Sequence, residues 1–284
     1  MLKQRVITAL VLLAILLPAL FHANTVPFTI VLLVLVAAGA WEWGRLNGLG
    51  GTGAVATGAV CLAMCGASWQ FGWIQAPLAS LWTLAGACWV LGGAFLLRGG
   101  VAGWPKIARS VRLVGGVLAL WVTWLAVVQA RQVGVNYLLS ILALVWAADI
   151  FAYFAGRAFG LKFTRNKLAP AISPGKSWEG VWGGMAGVAV LAIVWVALDA
   201  SSQATVASFY SRLAAKGYWL LLLGVVFMAA MSVVGDLVES LVKRSAGMKD
   251  SSNLLPGHGG VLDRIDALLP TLPLAMMLTH FAAA

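Results

Sequence analysis

The chain has 284 residues, of which 62% are hydrophobic and 10% are charged, and its 19 lysines and arginines against nine acidic residues give a net charge of +10. Soluble domains carry roughly 25% charged and 45–50% apolar residues, so this composition excludes a soluble globular protein. It predicts an all-α polytopic integral membrane protein. The positive charge requires no nucleic-acid partner, because anionic lipid headgroups attract basic loops.

Apolar runs of membrane length recur along the chain. Because a transmembrane helix needs about 20 mostly apolar residues, we predict about nine spans. Val6–Phe21 follows Lys3 and Arg5 as in a signal peptide, but no soluble domain comes after it, so we predict a retained first span. Pro270 and Pro273 predict a kink or break in the last span. The predicted centres lie near Leu13, Leu35, Val60, Cys88, Leu120, Leu142, Val188, Val225 and Leu274.

The basic residues predict the orientation of the spans, since lysine and arginine concentrate in cytoplasmic loops. If the N-terminus is cytoplasmic, every lysine and arginine except Arg131, Arg212 and Lys216 falls on the cytoplasmic side. We therefore expect the N-terminus and the charged loops of the second half in the cytoplasm.

The acidic residues divide the chain into two regions. Glu42 is the only one before Asp149, and all the others follow. We predict that residues 1–148 form an N-terminal transmembrane scaffold with lipid-facing helices. Residues 149–284 are predicted to form the C-terminal transmembrane catalytic region.

The first polar group of the catalytic region lies at the end of the sixth span. Asp149, Tyr153 and Arg157 share one helical face there. The loop that follows contains Ser173-Pro-Gly-Lys176-Ser177, which would suit an anion site in front of the seventh span. An ordinary basic loop with a helix cap at Ser177 or Ser173 is the alternative.

The second polar group is a stripe on the eighth span. Asp236, Glu239, Ser240 and Lys243 follow the spacing i, i+3, i+4, i+7 and therefore share a face. Glu239 and Lys243 could simply pair with each other. Asp236 has no such neighbour in its own helix, and a carboxylate near the membrane requires a cation or a metal. Asp236 is therefore the better metal-ligand candidate.

The third polar group is the turn Pro256-Gly-His258-Gly259-Gly260 and the helix predicted after it. Free N–H groups at the start of that helix could face a phosphate, with His258 as a phosphate or base contact. Asp263 and Asp266 lie in the first turn, where they could also act only as dipole-favoured caps.

Carboxylates next to lysines and arginines suit metal-dependent phosphoryl or nucleotidyl transfer, which depends on positioning and charge neutralisation. Mg²⁺ prefers oxygen ligands and binds through one or two carboxylates together with substrate phosphates; a two-metal centre is also possible. The chain has no His/Cys cluster with zinc spacing and neither a P-loop nor a Gly-x-Ser-x-Gly nucleophile motif.

At these residues the chain resembles the phosphatidate cytidylyltransferases, also called CDP-diacylglycerol synthases. The family pattern is matched without a break from Ser240 to Asp266, and the resemblance extends back to Asp149. The matching elements are Asp149-x-x-Ala-Tyr153, Ser173-Pro-Gly-Lys176, Gly235-Asp236-Leu, Ser240-x-x-Lys243-Arg244, Lys249-Asp250 and Pro256-x-His258-Gly-Gly-x-x-Asp263-Arg264-x-Asp266.

The resemblance implies that CTP and phosphatidate form CDP-diacylglycerol and pyrophosphate, in phospholipid biosynthesis at the bacterial cytoplasmic (inner) membrane. It also implies Mg²⁺, a second metal such as K⁺, and a homodimer. The catalytic candidates are Asp236, Lys243, His258, Asp263 and Arg264. The family's metal-centre carboxylates correspond to Asp236 and Asp263, and Asp266 is a further metal-ligand candidate. The substrate- or phosphate-binding candidates are Asp149, Tyr153, Ser173, Lys176, Ser240, Arg244, Lys249, Gly259 and Gly260.

Two alternatives remain from the residues alone. A CTP-dependent lipid-alcohol kinase would use similar phosphate chemistry but would release CDP rather than pyrophosphate. A transporter or non-catalytic membrane scaffold should place isolated charges near the middle of the bilayer, whereas most charges here are predicted at one face.

Overall fold

The computed structural model describes residues 2–283, and these form eleven α-helices without a β-strand in that range. The two long connections, residues 160–177 and 246–261, both carry predicted site residues. The helices are α1 (Leu2–Phe21), α2 (Val26–Leu46), α3 (Gly51–Gln70), α4 (Ala79–Gly103), α5 (Arg109–Val133), α6 (Val135–Phe159), α7 (Trp178–Ser201), α8 (Phe209–Ala214), α9 (Tyr218–Ser245), α10 (Leu262–Ile265) and α11 (Leu268–Ala283). The prediction of an all-α protein is confirmed.

Nine helical segments of the described chain are long and apolar enough to cross a membrane. Seven are single helices, α1 to α3, α5 to α7 and α9. The fourth extends α4 through a 3₁₀ turn to Lys106, and the ninth combines α10 and α11. Large apolar side chains such as Leu91, Phe95 and Val34 are exposed on the outside of the bundle, where lipid would cover a surface too apolar for water. The chain is a multi-pass membrane protein.

The last span is broken between α10 and α11, as its prolines predicted. Pro270, in the first turn of α11, has no N–H to donate to the carbonyl of Asp266, four residues before it, whereas Pro273 lies inside α11 without ending it. That carbonyl lies against Gly235 of α9, where an added Cβ would be only 2.5 Å from the Asp266 oxygen. Gly235 thus allows α9 to approach the break closely.

Gly235→Ala is expected to destabilise the protein by about 1–3 kcal/mol, because the new methyl group must push the backbone of the last span away from α9. The thermal midpoint of the detergent-purified protein measures this. Gly92→Ala is the matched control, because a Cβ at Gly92 meets nothing within 4 Å. Equal midpoints for the two variants would contradict the close approach.

The elements that carry the predicted site meet at one end of the bundle. Thr8, in the second turn of α1, donates a hydrogen bond of 2.8 Å to the Pro256 carbonyl. Lys176, just before α7, reaches Asp236 near the end of α9. The site therefore lies at the same end as the N-terminus, and its cytoplasmic placement stays a prediction.

The opposite end is held together by polar contacts of its own. The Arg131 guanidinium donates to the carbonyls of Leu20 and His22, which end α1 and follow it. Asp199, near the end of α7, accepts from the Ser208 N–H and the Ser211 hydroxyl of the α8 turn. These contacts fix the connections between spans at the end of the bundle away from the site.

Candidate active site

Lys243 lies at the centre of the site and contacts two carboxylates at once. Its Nζ is 2.6 Å from Glu239 Oε2, one turn earlier in α9, and 2.6 Å from Asp263 Oδ1 in α10. The side chains of Glu239, Asp263 and Lys243 are only 4%, 5% and 11% exposed. The contact with Asp263 is a charge-assisted hydrogen bond, whereas the contact with Glu239 is an ion pair without hydrogen-bond geometry. The pairing of Glu239 with Lys243 suggested by their spacing is present, and Asp263 joins it.

The second oxygen of Asp263 is also fully engaged. Asp263 Oδ2 accepts from the N–H of Gly260 at 2.7 Å, the N–H of Ser251 at 2.9 Å and the hydroxyl of Ser251 at 2.8 Å. Gly259 precedes this contact with a φ of +81°, and a Cβ there would be 2.7 Å from Asp263 Oδ2. A glycine is therefore needed beside the carboxylate on both conformational and steric grounds.

Asp236 forms a second, more open carboxylate–lysine pair. Its Oδ2 lies 2.5 Å from Lys176 Nζ, and its Oδ1 accepts from the Ser240 hydroxyl at 3.2 Å. The side chains of Lys176 and Asp236 are 26% and 29% exposed. The cation that α9 lacks next to Asp236 is thus supplied by the loop before α7.

That loop is held in place by Glu179, in the first turn of α7. Glu179 Oε1 accepts from the N–H of Phe163 and from both the N–H and the hydroxyl of Thr164, at 2.7–3.1 Å. Ser177 caps α7 by accepting from the Gly180 N–H at 3.2 Å, so the cap suggested by the sequence is present. Ser173 lies in a turn of the same loop, where its N–H donates to Ala169.

The glycine turn before α10 differs from its prediction. The N–H groups of Val261 and Leu262 donate to Glu42, at 2.9 and 2.8 Å, and the Gly260 N–H donates to Asp263. The expectation of free N–H groups at the start of this helix is therefore wrong. The reason is that carboxylates of the protein itself already occupy these donors.

Glu42, on α2, has a role that the sequence analysis missed. It is completely buried, and it also accepts from the hydroxyls of Ser251 at 3.1 Å and Ser252 at 2.6 Å. A usable signal existed, because Glu42 is the only acidic residue within the predicted N-terminal spans, and a carboxylate inside a span is a functional-site hypothesis by default.

His258 and Arg264 lie at the edge of the site. Arg264 is exposed and donates through Nε and Nη2 to the backbone carbonyl of His258, at 3.1 and 2.8 Å. The Nδ1 atom of His258 is buried and has no hydrogen-bond partner among the described residues. The structure thus places His258, in the glycine turn, next to Arg264, in α10, with the arginine on the solvent side.

Arg244 and Asp266 flank the two carboxylate–lysine pairs. Arg244 donates to the carbonyls of Ile172 and Met248, at 3.4 and 3.2 Å, and so connects α9 to the loop before α7. Asp266 lies at the break of the last span and accepts from the Ala267 N–H at 2.7 Å. Its carboxylate is close enough to Asp236 to interact with it electrostatically.

The remaining predicted residues lie farther from the two carboxylate–lysine pairs. Asp149 and Tyr153 are exposed on α6; the Tyr153 hydroxyl accepts from Arg157 at 3.2 Å, and Asp149 is within electrostatic range of Asp236. Lys249 lines a cavity of about 490 Å³ with Trp41 and Arg45 of α2. Lys249 thus faces α2 rather than either carboxylate–lysine pair.

The carboxylates fit a magnesium ion better than a metal bound by protein ligands alone. Within residues described by the structure, no three His, Cys, Asp or Glu side chains are grouped closely enough to hold an ion by themselves. Mg²⁺ needs only one or two carboxylates when substrate phosphates complete its shell. Asp236 and Asp263 supply hard carboxylate oxygens, and the Oδ1 atom of each accepts a single hydrogen bond, which leaves capacity for a further ligand there.

Comparison with known proteins identifies the family. Residues 3–282 match the Cytidylyltransferase family. The chain belongs to the cytidylyltransferase family. It is therefore a nucleotidyltransferase, rather than a transporter or a non-catalytic scaffold, and the resemblance seen in the sequence is confirmed.

Full-length relatives of this cytidylyltransferase are named phosphatidate cytidylyltransferase. The one from Pseudomonas aeruginosa is 41% identical over 281 residues, which cover 96% of this chain and 95% of the relative. The one from Haemophilus influenzae is 36% identical and covers 96% of each chain. A Brucella abortus relative is 34% identical over 94% of this chain and 89% of its own length.

Proposed function

We propose that this cytidylyltransferase transfers the cytidylyl group of CTP to phosphatidate, forming CDP-diacylglycerol and pyrophosphate in phospholipid biosynthesis. The observation that carries the proposal is the pair of carboxylate–lysine contacts, Asp236 with Lys176 and Asp263 with Lys243, at one end of a membrane bundle. The printed names of the full-length relatives support the same reaction. We place the protein in the bacterial cytoplasmic membrane as a homodimer.

In this reaction a phosphate oxygen of phosphatidate attacks the α-phosphorus of CTP. The bond from that phosphorus to the bridging oxygen of the β-phosphate breaks, and pyrophosphate leaves. Such transfers are catalysed mainly by positioning the reactants and neutralising the charge that develops on the phosphate oxygens. The protein groups required are therefore fixed cations and fixed carboxylates within one site.

The lysines of the site supply charge at fixed positions. Lys243 is held between Glu239 and Asp263, and Lys176 is held on Asp236. Arg244 and Arg264 contact backbone carbonyls and keep further N–H groups for phosphate, since a guanidinium has five donors. We assign these four cations to the triphosphate and the lipid phosphate.

Mg²⁺ is assigned to Asp236 and Asp263, with substrate phosphates completing its shell. Asp266 is assigned to the same centre only together with those phosphates, and K⁺ could join it. When bound, the metal would neutralise phosphate charge and polarise the phosphorus–oxygen bonds. The protein's contribution is to hold the carboxylates: Asp263 by Lys243, Gly260 and Ser251, and Asp236 by Lys176 and Ser240.

We place the active site at the cytoplasmic face. Its end of the bundle includes the start of α1, and the basic loops predict that this end is cytoplasmic, where CTP is found. Asp236 and Lys176 are partly exposed, so a headgroup could reach them while the acyl chains of the lipid remain in the membrane.

Release of pyrophosphate from CTP by the purified protein tests the proposal. Pyrophosphate should be released with phosphatidate and Mg²⁺, and neither without phosphatidate nor with diacylglycerol in its place. Production of CDP with a lipid alcohol would instead identify a lipid-alcohol kinase. The lack of CTP turnover with any of these lipids would contradict both reactions.

Lys176→Met should lower the rate of CDP-diacylglycerol formation about 10–10²-fold, because a hydrogen bond to a charged group contributes about 1.5–3 kcal/mol. Stability should change little, since the pair with Asp236 is partly exposed. Lys162→Met, an exposed lysine of the same loop, is the control and should keep the wild-type rate. Equal rates for the two variants would contradict the assignment of Lys176.

A further inference from the structure

We propose that Glu42 is a positioning residue for Asp263, acting through the Ser251 hydroxyl and the turn at residues 260–262. The inference rests on the proposed function and adds a residue from the predicted scaffold region to the machinery of that reaction. Glu42 is 0% exposed and lies on α2, whereas Asp263 lies on α10.

The contacts of Glu42 define the turn from which Asp263 projects. Oε1 accepts from Val261 N–H at 2.9 Å, and Oε2 accepts from Leu262 N–H at 2.8 Å. These two residues immediately precede Asp263. Since the carboxylate of Glu42 is bound on both oxygens, the backbone at the start of α10 is fixed relative to α2.

Ser251 connects the two carboxylates directly. Its Oγ lies 2.8 Å from Asp263 Oδ2 and 3.1 Å from Glu42 Oε2. A serine hydroxyl has a single proton to donate, so it can bond fully to only one carboxylate at a time. Glu42 therefore competes with Asp263 for this proton and affects how much negative charge Asp263 presents to the site.

The packing around Gly260 leaves no space for this arrangement to shift. A Cβ on Gly260 would lie 2.1 Å from Ser251 Oγ and 2.3 Å from Glu42 Oε1. Close-packed polar groups of this kind act on the reaction by orienting the groups that touch the substrate. Loss of one such partner around a metal-binding carboxylate typically costs about 10–100-fold in activity.

A purely structural role for Glu42 is the competing explanation. A buried carboxylate with hydrogen-bond donors on both oxygens is satisfied, and its loss could simply destabilise the fold. A positioning role and a purely structural role can be told apart by kinetic measurements on variants. Positioning predicts a lower kcat with unchanged KM at temperatures where the variant is still folded, together with non-additive effects of Glu42 and Ser251 variants.

The experiment compares Glu42→Gln, Ser251→Ala and their combination in the CDP-diacylglycerol assay. Each single variant should lower kcat about 10–100-fold, with wild-type KM values for CTP and phosphatidate. The combination should slow the reaction by less than the product of the two single effects, because both variants disturb the Ser251 hydroxyl between the two carboxylates. Thr29→Val, which removes a buried hydroxyl bonded within α2, should keep the wild-type kcat.

Wild-type kcat in Glu42→Gln, or fully additive effects in the combination, would overturn the inference. If Glu42→Gln does not fold, Ser252→Ala decides, because the Ser252 hydroxyl donates to Glu42 Oε1 and not to Asp263; a lower kcat in that variant supports the inference, and wild-type kcat overturns it. These results leave the proposed function intact as long as the wild-type protein forms CDP-diacylglycerol. A wild-type protein that forms none overturns the proposed function and the inference with it.

Discussion

Asp263→Asn is expected to lower the rate of CDP-diacylglycerol formation about 10²–10⁴-fold, comparable to the loss of other single electrostatic catalytic groups. Asparagine has nearly the same shape, but it has no charge for Lys243 or for a metal. Its amide nitrogen is itself a donor. It would take the place of a carboxylate oxygen, such as the one that now accepts hydrogen bonds from the N–H groups of Gly260 and Ser251. The effect should therefore fall on kcat, with the protein still folded in the membrane.

Asp199→Asn is the matched control for this prediction. It removes the same charge at the opposite end of the bundle, where Asp199 accepts from Ser208 and Ser211, and it should keep the wild-type rate at temperatures where the protein is folded. Rates are measured from CTP and phosphatidate, with folding checked by gel filtration in detergent. If Asp263→Asn and Asp236→Asn both kept near-wild-type turnover, the assignment of these residues to the metal centre would be wrong.

Lys243→Met is expected to reduce both stability and activity. Without the ammonium group, Glu239 and Asp263 are left as neighbouring carboxylates with side chains 4% and 5% exposed. Removing one partner of a buried ion pair costs about 3–5 kcal/mol, because an uncompensated charge remains. The thermal midpoint should therefore fall strongly, and the transfer rate should fall at temperatures where the protein is still folded.

Two further variants test whether the loss of stability comes from the unpaired carboxylates or from replacing a lysine by methionine in general. Lys216→Met makes the same change at an exposed position at the opposite end of the bundle, and it should leave the thermal midpoint unchanged. Adding Glu239→Gln to Lys243→Met removes one of the two unpaired charges and should recover part of the lost stability. It should not restore the rate. A double variant less stable than Lys243→Met would contradict the account of this ion cluster.

The spans could be predicted because hydropathy is a local property of the sequence. Each stretch that crosses the membrane must itself satisfy the length and composition that lipid imposes. The break in the last span was predictable for the same reason, since Pro270 prevents a hydrogen bond within its own helix. The polar stripe on α9 and the Ser177 cap also depend on residues close in sequence.

The partners across the site could not be predicted in this way. Lys176 and Asp236 are 60 positions apart, and Glu42 and Ser251 are 209 apart. Contacts between residues so far apart in the sequence depend on how the helices pack against each other. Hydrophobic periodicity does not specify that packing. The glycine turn shows the consequence, because its N–H groups were expected to be free and are instead bound by Glu42 and Asp263. The division at residue 148 and the roles of the site residues stay predictions.

The fate of the CTP phosphates tests the central claim most directly. Purified protein is incubated with phosphatidate, Mg²⁺ and CTP carrying radioactive phosphorus at either the α- or the γ-phosphate, and the lipid and aqueous phases are separated. Cytidylyl transfer predicts that α-label enters the lipid as CDP-diacylglycerol and that γ-label stays in water as pyrophosphate. Label from the γ-phosphate in the lipid, with none from the α-phosphate, would contradict the account and identify a kinase.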